Sequence, residues 1–221
     1  MISGIVNFVK RKRFKSYSPI NVFEEETASG AEYAKICRSL KFPSKGNLLV
    51  VGGVNKYSKS GECAVNLAVN FSKAGYKTLL IDFFSLQSKE LNNLFKIEDN
   101  VGISEYLCNK ESSNSNIIET DFSNLYYMAQ GDFTVNVGSV LEDDNSLSKI
   151  SELCQKFDIV VAFVKPLNEN SDGYLLKTVA KGYILGLDEN YDMEVESYNV
   201  SKSLIENNCE VLGVVFANKD K

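Results

Sequence analysis

The sequence predicts an α/β domain built on a mostly parallel β-sheet flanked by helices. Three observations predict it. Short apolar runs at 49–53, 125–129, 158–164, 182–187 and 211–217 have the continuous hydrophobicity of strands buried on both faces. Helical stretches separate these runs, as right-handed crossovers between parallel strands require. Finally, the unit from Leu49 to Phe95 reads as strand, loop, amphipathic helix, and second strand ending in a carboxylate, the way a parallel-sheet nucleotide binder begins.

Each element follows in order. Residues 1–30 read as a basic amphipathic leader and a polar, acidic linker, and residues 31–221 as one domain. Helix signals start at Ala31 and run to Phe42. Leu49-Val50-Val51-Gly52-Gly53 is a buried strand, and Val54 to Gly61 is a loop. The next helix places Ala64, Leu67, Ala68 and Phe71 on one face and ends near Gly75. Thr78-Leu79-Leu80-Ile81 is a strand finishing on Asp82. Leu86 to Phe95 is helical, and Asn109 to Asn116, rich in Ser and Asn, is a loop. Ser146 is an N-cap for a helix to Phe157. A last helix covers Met193 to Asn207 before the final strand.

Composition excludes several classes. The chain has 221 residues, enough for a sizeable core, with ordinary apolar (44%) and charged (24%) fractions. It contains no His, which removes Ser-His-Asp and Cys-His chemistry and His metal sites. The five Cys are scattered without a CxxC and read as reduced thiols. No stretch is long and apolar enough to cross a bilayer, which needs ~20 residues. Nucleic acid is not expected, since no basic and aromatic surface recurs downstream of the leader.

The leader is the basic exception. Ile2, Ile5, Val6 and Val9 share one helical face, and Lys10, Arg11, Lys12, Arg13 and Lys15 follow. No acid occurs before Glu24. Without those five cations the formal charge of −5 becomes about −10. A basic amphipathic leader on an acidic body suits an anionic membrane surface or an acidic partner; a solvated leader is the plain alternative.

Several segments together resemble the cytoplasmic bacterial tyrosine kinases of capsule and exopolysaccharide assembly, a branch of the deviant P-loop ATPases. Glu32-Tyr33-Ala34-Lys35-Ile36-Cys37-Arg38 follows the family's Glu-x-x-Arg-x-x-Arg, with Lys35 for the first Arg. Asn66-Leu67-Ala68 and the run from Ala74 to Asp82 match its helix and second strand. Gly102-Ile103-Ser104-Glu105-Tyr106-Leu107 resembles its Gly-Leu-Ser-Asp-x-Leu. Asn124-Leu125-Tyr126 with Gly131, and Leu212-Gly213-Val214-Val215, resemble later landmarks, and Asn218 falls near the adenine-contacting residue of such folds. The resemblance covers Ala31 to Asn218 and implies a P-loop NTPase-like three-layer fold.

The departures fall in the working parts. The family's loop reads Pro-Gly-x-Gly-Lys-Ser/Thr. A gap-free alignment places its phosphate Lys on Ser60 and its magnesium hydroxyl on Gly61; a one-residue shift keeps Lys59 and Ser60 in those roles. Either way the loop glycines become Lys56, Tyr57, Ser58 or Lys59. Glycines there let successive N–H groups face phosphate. The family's Asp-x-Asp becomes Asp82-Phe83-Phe84, and its Asp-x-Pro-Pro becomes Phe163-Val164-Lys165-Pro166. Magnesium wants oxygen ligands, and Phe offers none. Lys59 then reads as a solvated loop lysine, and Asp82 as a strand-end carboxylate capping backbone N–H groups. The family's autophosphorylated tyrosine cluster has no counterpart before Lys221, the last tyrosine being Tyr198.

The resemblance therefore implies a catalytically degenerate member. It would act as a regulatory or scaffolding subunit in capsule or exopolysaccharide assembly, in the cytoplasm and peripheral at the inner membrane face. Its partner would be a polysaccharide co-polymerase membrane protein or an active kinase paralogue, in a homo- or hetero-oligomer. Glu32, Lys35 and Arg38 share roughly one helix face and correspond to the family's subunit-docking helix; an exposed ion-pair series is the plainer reading. No catalytic residue, metal or cofactor is expected. The alternatives are an active ATPase or tyrosine kinase using Lys59 and Ser60 with ATP and Mg²⁺, and a Min/Par-like membrane-positioning protein. The shape of residues 53–61 discriminates: N–H groups around an empty hollow keep anion binding, and a hollow plugged by Tyr57 or Phe84 loses it.

Overall fold

A computed structural model describes residues 20–24, 27–42, 45–55, 58–84, 88–97, 101–108, 116–131, 135–168, 172–188 and 194–217. The leader cations Lys10, Arg11, Lys12, Arg13 and Lys15, the loop residues Lys56 and Tyr57, and Asn218 lie outside these residues, as does most of the 109–116 loop.

Seven strands form one sheet: β1 (Asn47–Gly53), β2 (Thr78–Asp82), β3 (Ile118–Glu119), β4 (Leu125–Met128), β5 (Ile159–Phe163), β6 (Ala180–Asp188) and β7 (Val211–Ala217). Their order is β3-β4-β2-β5-β1-β6-β7, and all pairs are parallel except β3 with β4. The α/β expectation holds. The two-residue β3 escaped the sequence reading because it is too short to carry a hydrophobic pattern. It blunts one edge of the sheet, while β7, with Val214 and Phe216 exposed, forms the other.

The described helices are α1 (Ala28–Ser39), α2 (Ser60–Lys73), α3 (Ser88–Leu94), α4 (Ile103–Leu107), α5 (Val137–Leu141), α6 (Asp144–Cys154), α7 (Asp172–Leu175) and α8 (Glu194–Glu206). They cover both faces. Leu49, Val51, Leu80 and Phe163 face α1, α2 and α3. Leu48, Val50, Leu79 and Val160 face α4, α5, α6 and α8. This two-sided cover explains why the strands read as unbroken apolar runs.

Two boundaries differ for reasons of capping. Helix α1 begins at Ala28, earlier than Ala31, because the Thr27 hydroxyl accepts the Gly30 N–H at 3.0 Å. Helix α6 is capped by Asp143, whose carboxylate accepts the Asn145 N–H at 3.3 Å; Ser146 is buried within the helix. An acid standing three residues upstream offers a stronger acceptor than the serine.

The linker is shorter than the sequence suggested. Residues 20–24 run along α2. The Phe23 N–H donates to Asn66 Oδ1 at 2.8 Å, Asn66 Nδ2 donates to the Asn21 carbonyl at 2.7 Å, and the Phe23 and Tyr33 rings stack. Helix α2 needs that cover, since every residue from Ser60 to Ser72 is buried.

The motif around Gly102 meets Gly131. The Glu105 carboxylate accepts the Gly102 N–H at 2.7 Å, and the Ile103 and Ser104 N–H groups donate to the carbonyls of Ala129 and Gln130. Gly131, at φ 85°, lies so close that an added Cβ would sit 1.9 Å from Glu105 Oε2. Gly131→Ala should therefore lower unfolding free energy by at least ~2 kcal/mol in urea titration, through backbone strain plus displacement of the buried carboxylate.

Candidate functional site

The first βα loop follows β1, a central strand paired with both β5 and β6. There the chain folds back on itself. Ser58 Oγ accepts the N–H groups of Val54 and Asn55, at 3.1 and 3.2 Å, and the Ser58 N–H donates to the Asn55 carbonyl at 3.0 Å. Gly53 permits this fold-back: a Cβ there would lie 2.5 Å from Ser58 Cβ and 3.0 Å from Ser60 Oγ. Ser58 is buried. Loop donors thus converge on the chain's own hydroxyl. The filler expected from sequence was Tyr57 or Phe84. Tyr57 lies outside the described residues, and Phe84 packs elsewhere.

Lys59 is the N-cap residue of α2, with φ −86° and ψ 38°, and makes no side-chain cap. Its Nζ stands 3.9 Å from Glu62 Oε1, one turn on, and its side chain is 18% exposed. The plain reading of Lys59 as solvated gives way to a half-buried ion pair. Glu62, also buried, accepts the Asn21 N–H at 3.4 Å and Asn21 Nδ2 at 3.2 Å. It therefore touches both the loop lysine and the residue-20–24 segment. Ser60 and Gly61 are buried at the helix start, and Ser60 packs tightly on β6: a Cβ on Gly186 would lie 2.8 Å from Ser60 Cα.

Asp82 ends β2 fully buried, and its Oδ1 accepts the Phe84 N–H at 2.7 Å. That is the backbone-capping role read from sequence. Its charge lies close enough to add to the burial that lifts the Tyr127 phenol well above its usual range. The Phe84 ring meets Phe163 edge-on at 5.5 Å, both in the core. The two positions where the family carries further carboxylates thus hold one aromatic pair. Beside them Lys165 pairs with Asp172 at 3.5 Å.

Magnesium triphosphate requires convergent N–H donors and several oxygen ligands. The described residues do not fit that group: Val54 and Asn55 donate to Ser58, Lys59 faces Glu62, and Phe84 and Phe163 bring no oxygen. Glu62 was missed from sequence, and Ser58 was read only as a replacement for a loop glycine, not as the acceptor of the loop's own N–H groups. The available signals were a hydroxyl three residues after Asn55 and an acid three residues after Lys59.

Glu32, Lys35 and Arg38 lie on the outer face of α1. Lys35 and Glu32 pair at 2.6 Å with both side chains more than half exposed, and Arg38 is exposed in the last turn. Such a pair contributes little to stability.

No family model matches the chain. Its curated relatives are bacterial tyrosine-protein kinases. The "Putative tyrosine-protein kinase CapB" of Staphylococcus aureus is 24% identical over 208 residues, covering 92% of this chain and 91% of CapB. The tyrosine-protein kinase CpsD of Streptococcus pneumoniae is 25% identical over 191 residues, covering 85% and 83%. Among solved structures, the chimerical protein CapA2B2 superposes with a TM-score of 0.78 at 20% identity, covering 89% of this chain and 87% of that one. The resemblance read from the motifs to the capsule and exopolysaccharide kinases therefore holds over most of the chain, and the fold is the P-loop NTPase-like one.

Two outcomes are expected. Ser58→Ala removes the acceptor of two N–H groups and should cost ~1–3 kcal/mol in urea unfolding. Burial pushes the thiols of Cys37, Cys63 and Cys154 up to about 12, and lifts Tyr33 and Tyr183 further. These groups stay protonated in the folded chain but ionise in the unfolded one near 9–10. Their contribution is intact below pH 9 and lost as pH rises from 9 towards 12, so the melting temperature in reducing buffer should fall steadily across that window.

Proposed function

We propose that this relative of the bacterial tyrosine-protein kinases is a degenerate member, a regulatory or scaffolding subunit of capsule or exopolysaccharide assembly that carries out no phosphoryl transfer. The observation carrying this reading is that, after β1, Ser58 takes the N–H groups of Val54 and Asn55 and Glu62 faces Lys59. Phosphoryl transfer rests on positioning and charge neutralisation. Losing one such group typically costs ~10²–10³ in rate. A site whose Val54 and Asn55 donors are taken by Ser58, and which has two aromatics in place of acids, loses several at once. ATP and magnesium are accordingly not its cofactors.

The subunit reading is supported by the kept scaffold and by the exposed outer face of α1 bearing Glu32, Lys35 and Arg38. Similarity to the chimera CapA2B2 supports pairing with a membrane co-polymerase, and similarity to CapB and CpsD supports a place beside an active kinase. Among the described residues no helix is long and apolar enough to cross a membrane. Attachment at the inner membrane face would then come from the partner, with the basic leader as an auxiliary contact.

Saturating magnesium-ATP should leave the melting temperature unchanged in differential scanning fluorimetry. A nucleotide at 100 times its dissociation constant would add ~2.7 kcal/mol, and a clear upward shift would defeat the proposal in favour of an active enzyme using Lys59 and Ser60. Phosphate release abolished by Lys59→Ala would establish that alternative.

A further inference from the structure

A concavity lies away from the first βα loop. The last turns of α1 and α2 and the start of the segment after each enclose a cleft of about 490 Å³. Arg38, Lys41 and Lys73 line it, with Phe42, Tyr76 and Asn70. Three cations around one hollow are notable on a chain of net charge −5. Arg38 and Lys73 occupy helix last turns, where the negative end of the helix dipole favours them. That explanation does not reach Lys41, which is exposed two residues beyond the end of α1. Exposed Lys45 follows it along the chain and adds to the positive charge of this segment.

We propose that this cleft is the docking site for an acidic peptide segment of a partner protein. Charge complementarity names the occupant. The chain already makes one such contact: Lys73 pairs at 3.3 Å with Glu24, whose side chain is 72% exposed. The walls are held in place. Phe42 and Tyr76 both pack against Phe71, each at 6.1 Å between ring centres, so the hollow is preformed. The volume falls in the usual range for a ligand site. A concave site with aromatic walls suits carboxylates carried on a chain with apolar or aromatic neighbours; a bilayer surface would need a flat or convex one. The inference goes beyond the proposed function and does not depend on whether nucleotide binds.

The test uses the full chain and a fluorescein-labelled peptide of mixed Glu and Tyr, read by fluorescence anisotropy. Binding should be present at about 50 mM salt and lost at about 500 mM, as screening requires. Lys41→Gln with Lys73→Gln should weaken it about tenfold or more, and Lys202→Gln, on α8, should not. Circular dichroism melting checks folding; should the double variant melt early, Lys41→Gln alone carries the comparison. No binding at low salt, or equal binding by the variant, overturns the proposal. So does capture by phosphatidylglycerol vesicles through the same lysines without peptide binding, which would make this a membrane contact. Self-association lost in the variant would make it a contact between copies and would equally overturn it.

Discussion

Burial of α2 on every side is the constraint from which the rest of the molecule follows. A helix against a parallel sheet normally keeps one polar face wet. Here Glu62, Asn66, Asn70 and Ser72 are all buried. Each buried polar group needs a partner, because leaving one unsatisfied costs as much as a lost hydrogen bond or more. The sheet cannot supply partners on the outer side. The chain supplies them by laying residues 20–24 along the helix and packing α1 beside it. Asn70 and Ser72 turn back to carbonyls of α2 itself.

The same logic closes the loop at the head of α2. Once Ser60 and Cys63 are pressed against Gly186, the preceding residues have little room, and their amides need acceptors. Ser58 provides one oxygen for two of them. In a phosphate-binding loop the acceptor comes from outside; here it comes from the chain. A bound phosphate would therefore have to compete with Ser58 for the N–H groups of Val54 and Asn55.

Much of this was legible beforehand. Five of the six longer strands announce themselves because two-sided burial forces continuous apolar runs; edge strand β7 carries an apolar run although Val214 and Phe216 are exposed. Helix α2 and Gly75 were legible because a positive φ after a helix selects glycine. The role of Asp82 was legible because a strand-end carboxylate next to its own chain has N–H groups in reach. Other features were hidden. Strand β3 is too short for any pattern. Ser58 and Glu62 are common residue types whose roles depend on where the backbone bends. The segment at 20–24 was read as linker because it lies within a polar, acidic stretch, although its Ile20, Val22 and Phe23 pack against the core. The α1 start was misplaced because Thr27 is one of several capping residues nearby.

The two edges of the sheet are unlike, and that difference limits how the molecule can grow. At one side, antiparallel β3 offers only Ile118 and Glu119, too little backbone to template another strand. At the other, Val211–Ala217 presents seven residues without a charge or a proline. Unwanted stacking of sheets in a crowded cell or a concentrated stock would thus start from a single side. Among the described residues this is the one long apolar border, so two molecules meeting there would stop as a pair, whereas an object sticky at both ends would polymerise into a filament.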